Sequence, residues 1–208
     1  TSPAVCSITS NNVLSLLAAG TCILTATAAA DTNYNAAAQL SFSLTVNKAQ
    51  QVIVFGANPG PKTFGDSSFF VSATTQASSA IVFTSLTPQI CAISGNTVAI
   101  LQAGNCIVAA NAPSDANYEA AIQTTQTVVI NKATQIISFG QNPESKVWGS
   151  GDFTISATTT SSSPVVFTSL SPFICAVFGN TVQILGVGQC SIAASAVADT
   201  NYLAAEKV

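Results

Sequence analysis

Short apolar runs separated by turn-forming residues follow one another along the whole chain. Residues 50–55, 69–75, 81–85 and 125–131 are rich in the β-branched and aromatic residues that favour strands. No segment has the 3.6-residue spacing of apolar positions that marks an amphipathic helix. The pattern therefore predicts an all-β fold of short strands joined by tight turns.

The pattern of strands and turns repeats with a constant period. Tyr34, Tyr118 and Tyr202 each close an Asp-x-Asn-Tyr sequence, and the interval from the first Tyr to the second equals that from the second to the third. The sequence "VFTSLTPQICAI" at 82–93 is matched, one such period later, by "VFTSLSPFICAV" at 166–177. About seven strands in a unit of this size, with frequent turns, is typical of a two-sheet sandwich.

This period divides the chain into three repeats. We expect a partial repeat at 1–48 that holds only the later strands, a complete repeat at 49–132, and a repeat at 133–208 that lacks its last strand. We expect the sequence to be a window from a longer array. Only "NKA" separates the closing strand of one repeat from the opening strand of the next, so neighbours must abut and form a stiff rod.

The repeat carries a family resemblance. The sequences "ICAISGNTV" at 90–98, "AGNCIVA" at 103–109, "DANYEAA" at 115–121 and "VINKA" at 129–133 resemble the bacterial immunoglobulin-like repeats found in tandem in very large secreted and cell-surface proteins. The resemblance covers the whole chain. It implies tandem immunoglobulin-like β-sandwich domains that serve as stalk, spacer or adhesive modules, without catalysis.

Each repeat contains two cysteines about 15 residues apart. A duplicated unit should use one local solution, so we predict a disulfide inside each repeat and an oxidising, extracellular location. Buried free thiols are the alternative. A zinc site is disfavoured because the chain has no His and no Cys-x-x-Cys. The first repeat has one extra residue, which we place in its turn "TSNN". The predicted pairs are Cys6–Cys22, Cys91–Cys106 and Cys175–Cys190.

The composition excludes several classes of function. Only 6% of the 208 residues are charged, and the five basic residues are all Lys, too few for a nucleic-acid surface. The absence of His removes Ser-His-Asp and Cys-His catalysis, and the eight carboxylates are scattered, so we expect no enzyme and no cofactor. No apolar run is long enough to span a membrane, and no signal peptide is evident at the start.

The Asp-x-Asn-Tyr sequences allow two interpretations. Calcium binds 6 to 8 oxygens, and each copy offers one carboxylate and one amide. An Asx turn, with Tyr packed over the end of the sandwich, needs no ion and is favoured. We therefore expect no metal site. The residues concerned are Asp31, Asn33, Asp115, Asn117, Asp199 and Asn201.

Two further pairs of residues occupy matching places in the repeats. Phe64 and Trp148 precede a Gly, where an aromatic ring either stacks on a sugar or, more often, plugs the end of the core. Lys48 and Lys132 lie at the junctions, where a covalent Lys–Asn bond would need a recurring acidic neighbour that the sequence lacks. A lysine stem lying over the boundary with its head in water is the favoured interpretation.

The scarcity of charge also bears on partners. Surface charge keeps domains apart, so a chain with this composition is expected to self-associate, laterally or end to end. The sequence thus predicts a non-enzymatic stalk, spacer or fibre. The alternative is an adhesive or carbohydrate-binding module that recognises a host or matrix glycan or protein through its loops.

Overall fold

The computed structural model describes residues 2–208, and this range contains strands and turns but no helix. The all-β prediction is confirmed. In the first repeat the strands are β1 (Cys6–Ile8), β2 (Leu14–Leu16), β3 (Gly20–Ala26) and β4 (Leu40–Val46). In the second they are β5 (Val54–Phe55), β6 (Lys62–Thr63), β7 (Phe69–Phe70), β8 (Ala73–Thr74), β9 (Val82–Ser85), β10 (Cys91–Ser94), β11 (Thr97–Ile100), β12 (Gly104–Asn111) and β13 (Thr124–Asn131). In the third they are β14 (Ile137–Phe139), β15 (Phe153–Thr154), β16 (Ala157–Thr159), β17 (Val165–Ser169), β18 (Cys175–Phe178), β19 (Thr181–Ile184) and β20 (Ile192–Ala196).

The second repeat has two main sheets. One has the strand order β10-β11-β7 and the other the order β6-β13-β12-β9, with β5 and β8 forming a separate pair. β13 lies antiparallel to β12 over seven residue pairs and parallel to β6 over two. Side chains of both sheets meet in one core, because the apolar residues of each strand alternate between the inside and the outside. The buried members of this core are Phe69, Val71, Cys91, Val98, Cys106, Val108, Val128 and Ile130.

Each repeat contains one disulfide, as predicted, and each joins Cα atoms 5.6 to 5.7 Å apart. In the second repeat Cys91 lies on β10 and Cys106 on β12, so the bond links the two sheets through the core. Disulfides of this kind persist in oxidising compartments and are rare in the cytosol. The alternatives of free thiols or zinc ligands are excluded in this structure, since all six cysteines are paired.

The turn between β10 and β11 shows why the repeat contains a Gly-Asn pair. Gly95 has a φ of 61° and Gly179, its counterpart, a φ of 63°, whereas the Asn that follows each is not left-handed. A two-residue hairpin with Gly at its first central position is a type II′ turn. In the first repeat the extra residue lies between β1 and β2, where Asn12 has a φ of 58°.

The opening strand is shorter than the pattern at 50–55 predicts. Only Val54 and Phe55 are in a strand. The residues before them form hydrogen bonds with side chains and loops, and not with the backbone of a neighbouring strand. The N–H of Val52 donates to Oε1 of Gln76 at 2.9 Å, and Gln51 is buried. These irregularly bonded residues, 51 and 52, lie at the junction between the first and second repeats.

Candidate functional site at the junctions between repeats

The Asp-x-Asn-Tyr sequences form the same Asx turn in all three repeats. Oδ1 of Asp115 accepts the N–H groups of Asn117 and Tyr118, both at 2.8 Å. Asp31 and Asp199 accept the equivalent pairs at 2.7 to 2.8 Å. This geometry confirms the predicted Asx turn, because one carboxylate oxygen in each copy accepts two backbone N–H groups. Within residues 2–208, His, Cys, Asp and Glu do not gather in groups of three that would hold a metal ion.

Asp115 is the most heavily bonded of these carboxylates. Its Oδ2 accepts the N–H and the hydroxyl of Ser78, each at 3.0 Å. Hydrogen bonds to the charged form, that from the N–H of Asn117 first and that from the N–H of Ser78 next, lower the pKa of Asp115 from 3.8 to about 2. The loop is therefore held most firmly while this group is ionised.

The linker between the first two repeats is bonded into this loop. The N–H of Ala49 donates to the carbonyl oxygen of Asn117 at 2.8 Å, and the N–H of Glu119 donates to the carbonyl oxygen of Ala49 at 2.8 Å. Ala49 thus forms a parallel bridge with Tyr118. Ala133 forms the same bridge with Tyr202 at the next junction. At each junction, backbone hydrogen bonds therefore fix the alanine that lies between the last strand of one repeat and the first strand of the next.

The junction lysines bind the following repeat without a covalent bond. Nζ of Lys48 donates to the carbonyl oxygen of Asp115 at 2.7 Å, and Nζ of Lys132 makes the same bond to Asp199. Both hydrogen bonds are exposed, as expected for stems that cross the boundary. Each exposed head also donates to a backbone carbonyl of the loop, a contact that the sequence did not predict.

An asparagine side chain makes a second bond across each boundary. The N–H of Ala19 donates to Oδ1 of Asn117, and the N–H of Ala103 donates to Oδ1 of Asn201, both at 2.9 Å. Each acceptor therefore lies one repeat further along the chain than its donor. Sequence reasoning considered these Asn residues only as calcium ligands. Their recurrence at the third position of every Asp-x-Asn-Tyr sequence was the available signal.

A buried glutamine connects the start of the second and of the third repeat to both ends of the loop. Nε2 of Gln51 donates to the carbonyl oxygens of Pro113 at 3.0 Å and Glu119 at 2.7 Å, while its Oε1 accepts the hydroxyl of Thr75 at 2.7 Å. Gln51 is only 4% exposed. Gln135 makes the equivalent bonds in the third repeat. Sequence analysis missed both glutamines, although they are separated by the same interval as Tyr118 and Tyr202.

The two aromatic candidates lie in different surroundings. Phe64 is half-buried and packs edge-on against Tyr202 of the following repeat, with ring centroids 5.6 Å apart and planes at 77°. It is therefore neither a free sugar platform nor a plug of its own core. Trp148 is 60% exposed and lines a groove on the third repeat. The structure does not bring the two rings together.

Comparison with known proteins adds little to this description. No family model matches the chain, and no curated protein matches it. Among solved structures the chain is similar to "Crystal structure of Drosophila N-cadherin EC1-4", with 10% identity and a TM-score of 0.30 over 98% of this chain. The chain spans 63% of that structure's length. A TM-score this low does not assign a fold. Residues 2–208 contain no helix with the length and apolar character needed to cross a membrane.

Proposed function

We propose that this chain is a non-enzymatic structural segment of an extracellular surface protein, a stiff stalk, spacer or fibre of immunoglobulin-like repeats. The observation that carries the proposal is the junction, which recurs with the same bonds at both boundaries. A chain that fixes its linkers in this way is suited to holding repeats in a set relative arrangement. Catalysis would not require such repetition.

Several features support immunoglobulin-like sandwiches as the repeating domain. The second repeat has two facing sheets with a shared core, antiparallel pairing and a disulfide between sheets. The cysteines are closer in sequence than those of antibody domains, so the proposal is a bacterial-type repeat. On this view residues 49–132 are one complete domain, 1–48 hold the later strands of another, and 133–208 hold all but the last strand of a third.

The bonds at each boundary support the proposed stiffness. At the second boundary, Ala133 forms its bridge with Tyr202, Lys132 caps a carbonyl, Asn201 accepts the N–H of Ala103, and Phe64 packs on Tyr202. Gly/Ser linkers behave as flexible coils, and none is present here.

The disulfides and the surface composition support the location and the assembly. One disulfide in each repeat is expected of small domains in oxidising, extracellular surroundings. Few charges and exposed apolar residues such as Phe173, which is 89% exposed, favour self-association between copies. In the adhesive alternative, Trp148 is the residue expected to contact a glycan. Loss of glycan-array binding in Trp148→Ala would favour that alternative.

Small-angle X-ray scattering of the chain at low concentration tests the stalk proposal. We expect a long, rigid particle, and we expect Asn117→Ala with Asn201→Ala to broaden the distribution of interatomic distances. Asn33→Ala is the matched control, because this residue has the same place in the loop of the first repeat and its side chain crosses no boundary in the structure. A compact or flexible parent chain, or an equal effect of the control, would contradict the proposal.

A further inference from the structure

One strand in each of the last two repeats has an unpaired edge. β9 is the outermost strand of the sheet β6-β13-β12-β9, and its counterpart β17 pairs with β20 on one side only. Across residues 2–208, no other strand bonds to the free side of β9 or of β17. Free edges of this kind are the parts of a sheet through which separate chains pair with one another.

The ladder with β12 determines which backbone groups of β9 point outward. The N–H of Leu86 donates to the carbonyl oxygen of Ile107 at 2.9 Å, so these two residues form a hydrogen-bonded pair. Hydrogen-bonded and non-hydrogen-bonded pairs alternate along an antiparallel ladder, so Thr84 also bonds to β12. The N–H and C=O groups of Phe83 and Ser85 therefore point away from β12.

β17 repeats this arrangement one period later. The N–H of Leu170 donates to the carbonyl oxygen of Ser191 at 2.8 Å, which is the counterpart of the bond between Leu86 and Ile107. The sequence Val-Phe-Thr-Ser-Leu is identical at 82–86 and at 166–170. The two edges therefore present the same backbone groups and the same side chains.

The side chains beside the edge are uncharged and partly apolar. Val82 and Leu86 flank Thr84 on the outer face of the sheet, and they are 53% and 51% exposed. No charged residue occurs at 67–114 or at 153–198. Natural proteins often protect a free edge with charged side chains, Lys above all. The composition beside this edge therefore favours pairing with another strand.

The edge is complementary to itself. When two copies of β9 lie antiparallel about a two-fold axis at Thr84, Phe83 of each copy faces Ser85 of the other. These are the residues with outward backbone groups, so each of their N–H and C=O groups gains a partner in this register. The same register places the exposed Val82 opposite the exposed Leu86 of the second copy.

We propose that the edge of β9, with that of its counterpart β17, is the surface through which two copies of this chain associate. The sheets of the two copies then form one continuous sheet across the two-fold axis. This inference rests on the self-association included in the proposed function, and it names the surface. The occupant is a second copy because the edge matches its own hydrogen-bonding groups and its own apolar side chains.

A cysteine at the two-fold axis tests the contact in the full chain. All six native cysteines are paired, so Thr84→Cys adds one free thiol. In the proposed register position 84 faces itself in a non-hydrogen-bonded pair, with Cα atoms about 4.5 Å apart, which a disulfide can span. On mild oxidation we expect a linked dimer of Thr84→Cys, or of Thr84→Cys mixed with Thr168→Cys if β9 pairs with β17 of the second copy. Thr125→Cys, exposed on β13 of the same sheet, is the matched control and should not be linked.

Added charge tests the same contact without a new thiol. Thr84→Lys with Thr168→Lys places like charges opposite each other and should weaken association at least about tenfold in sedimentation equilibrium. Thr125→Lys with Thr127→Lys adds the same charge at exposed positions of the same sheet and should leave association unchanged. A chain that associates without the cross-link and is insensitive to the edge lysines, or a control that is linked equally well, overturns this surface but not self-association. A chain that is monomeric at every concentration overturns both.

Discussion

Replacement of Gln51 by Ala should loosen the first junction and leave the sheets intact. Gln51 makes three hydrogen bonds from a buried position, to Pro113, Glu119 and Thr75. A net value of about 1 kcal/mol for each bond gives a loss of about 3 kcal/mol in the free energy of opening the loop. Such a loss corresponds to amide exchange that is about a hundredfold faster.

Hydrogen exchange at the Ala49 and Glu119 amides measures this loss directly, because both N–H groups bond across the linker bridge. Gln51→Met keeps most of the volume and removes the hydrogen bonds, so it should lose nearly as much. Gln50→Ala is the matched control, since its side chain is exposed. The reasoning is refuted if Gln51→Ala loses less than about 1 kcal/mol, or if the control loses as much.

Three further predictions follow from the second repeat. The pKa of Asp115 falls from 3.8 to about 2 on folding, so its contribution to stability is complete above pH 3.8 and disappears as pH falls toward 2; acid titration of Asp115→Asn should lack this step. Replacing Cys91 and Cys106 together with Ala should lower the free energy of unfolding in urea by about 3 kcal/mol, because the disulfide no longer restricts the unfolded chain. An unchanged free energy of unfolding would contradict a stabilising role for this disulfide. Gly104→Ala places a Cβ 2.4 Å from Cδ1 of Ile90 at a φ of +143° and should cost about 2 kcal/mol. Gly95→Ala meets no atom within 4 Å of its Cβ, so at its φ of +61° it should cost backbone strain alone, about 1 kcal/mol, in the same assay.

Much of the fold is predictable because repetition and local chemistry both encode it. The cysteine pairs follow from one pair in each repeat, and the hairpin follows from Gly95 at a position that needs positive φ. The Asx turn at Asp115 follows from an acceptor placed two and three residues before its donors. These features depend on residues close in sequence.

The junction contacts depend on residues far apart in sequence, which explains why pattern reasoning missed them. Gln51 bonds to residues 62 and 68 positions away, and Asn117 accepts a bond from a residue 98 positions away. A polar residue beside an apolar run gives no sign that it will be buried. Phe64 was similarly ambiguous, because its partner Tyr202 belongs to another repeat.

The bonding of the linkers has a consequence for how arrays of this kind change length. The hydrogen bonds that recur at both boundaries join main-chain groups to side chains present in each copy, Asn117 and Asn201, or Lys48 and Lys132. If unequal recombination adds or removes one whole period, every remaining boundary therefore keeps the donors and acceptors of these hydrogen bonds. The gene can lengthen or shorten the protein without compensating substitutions.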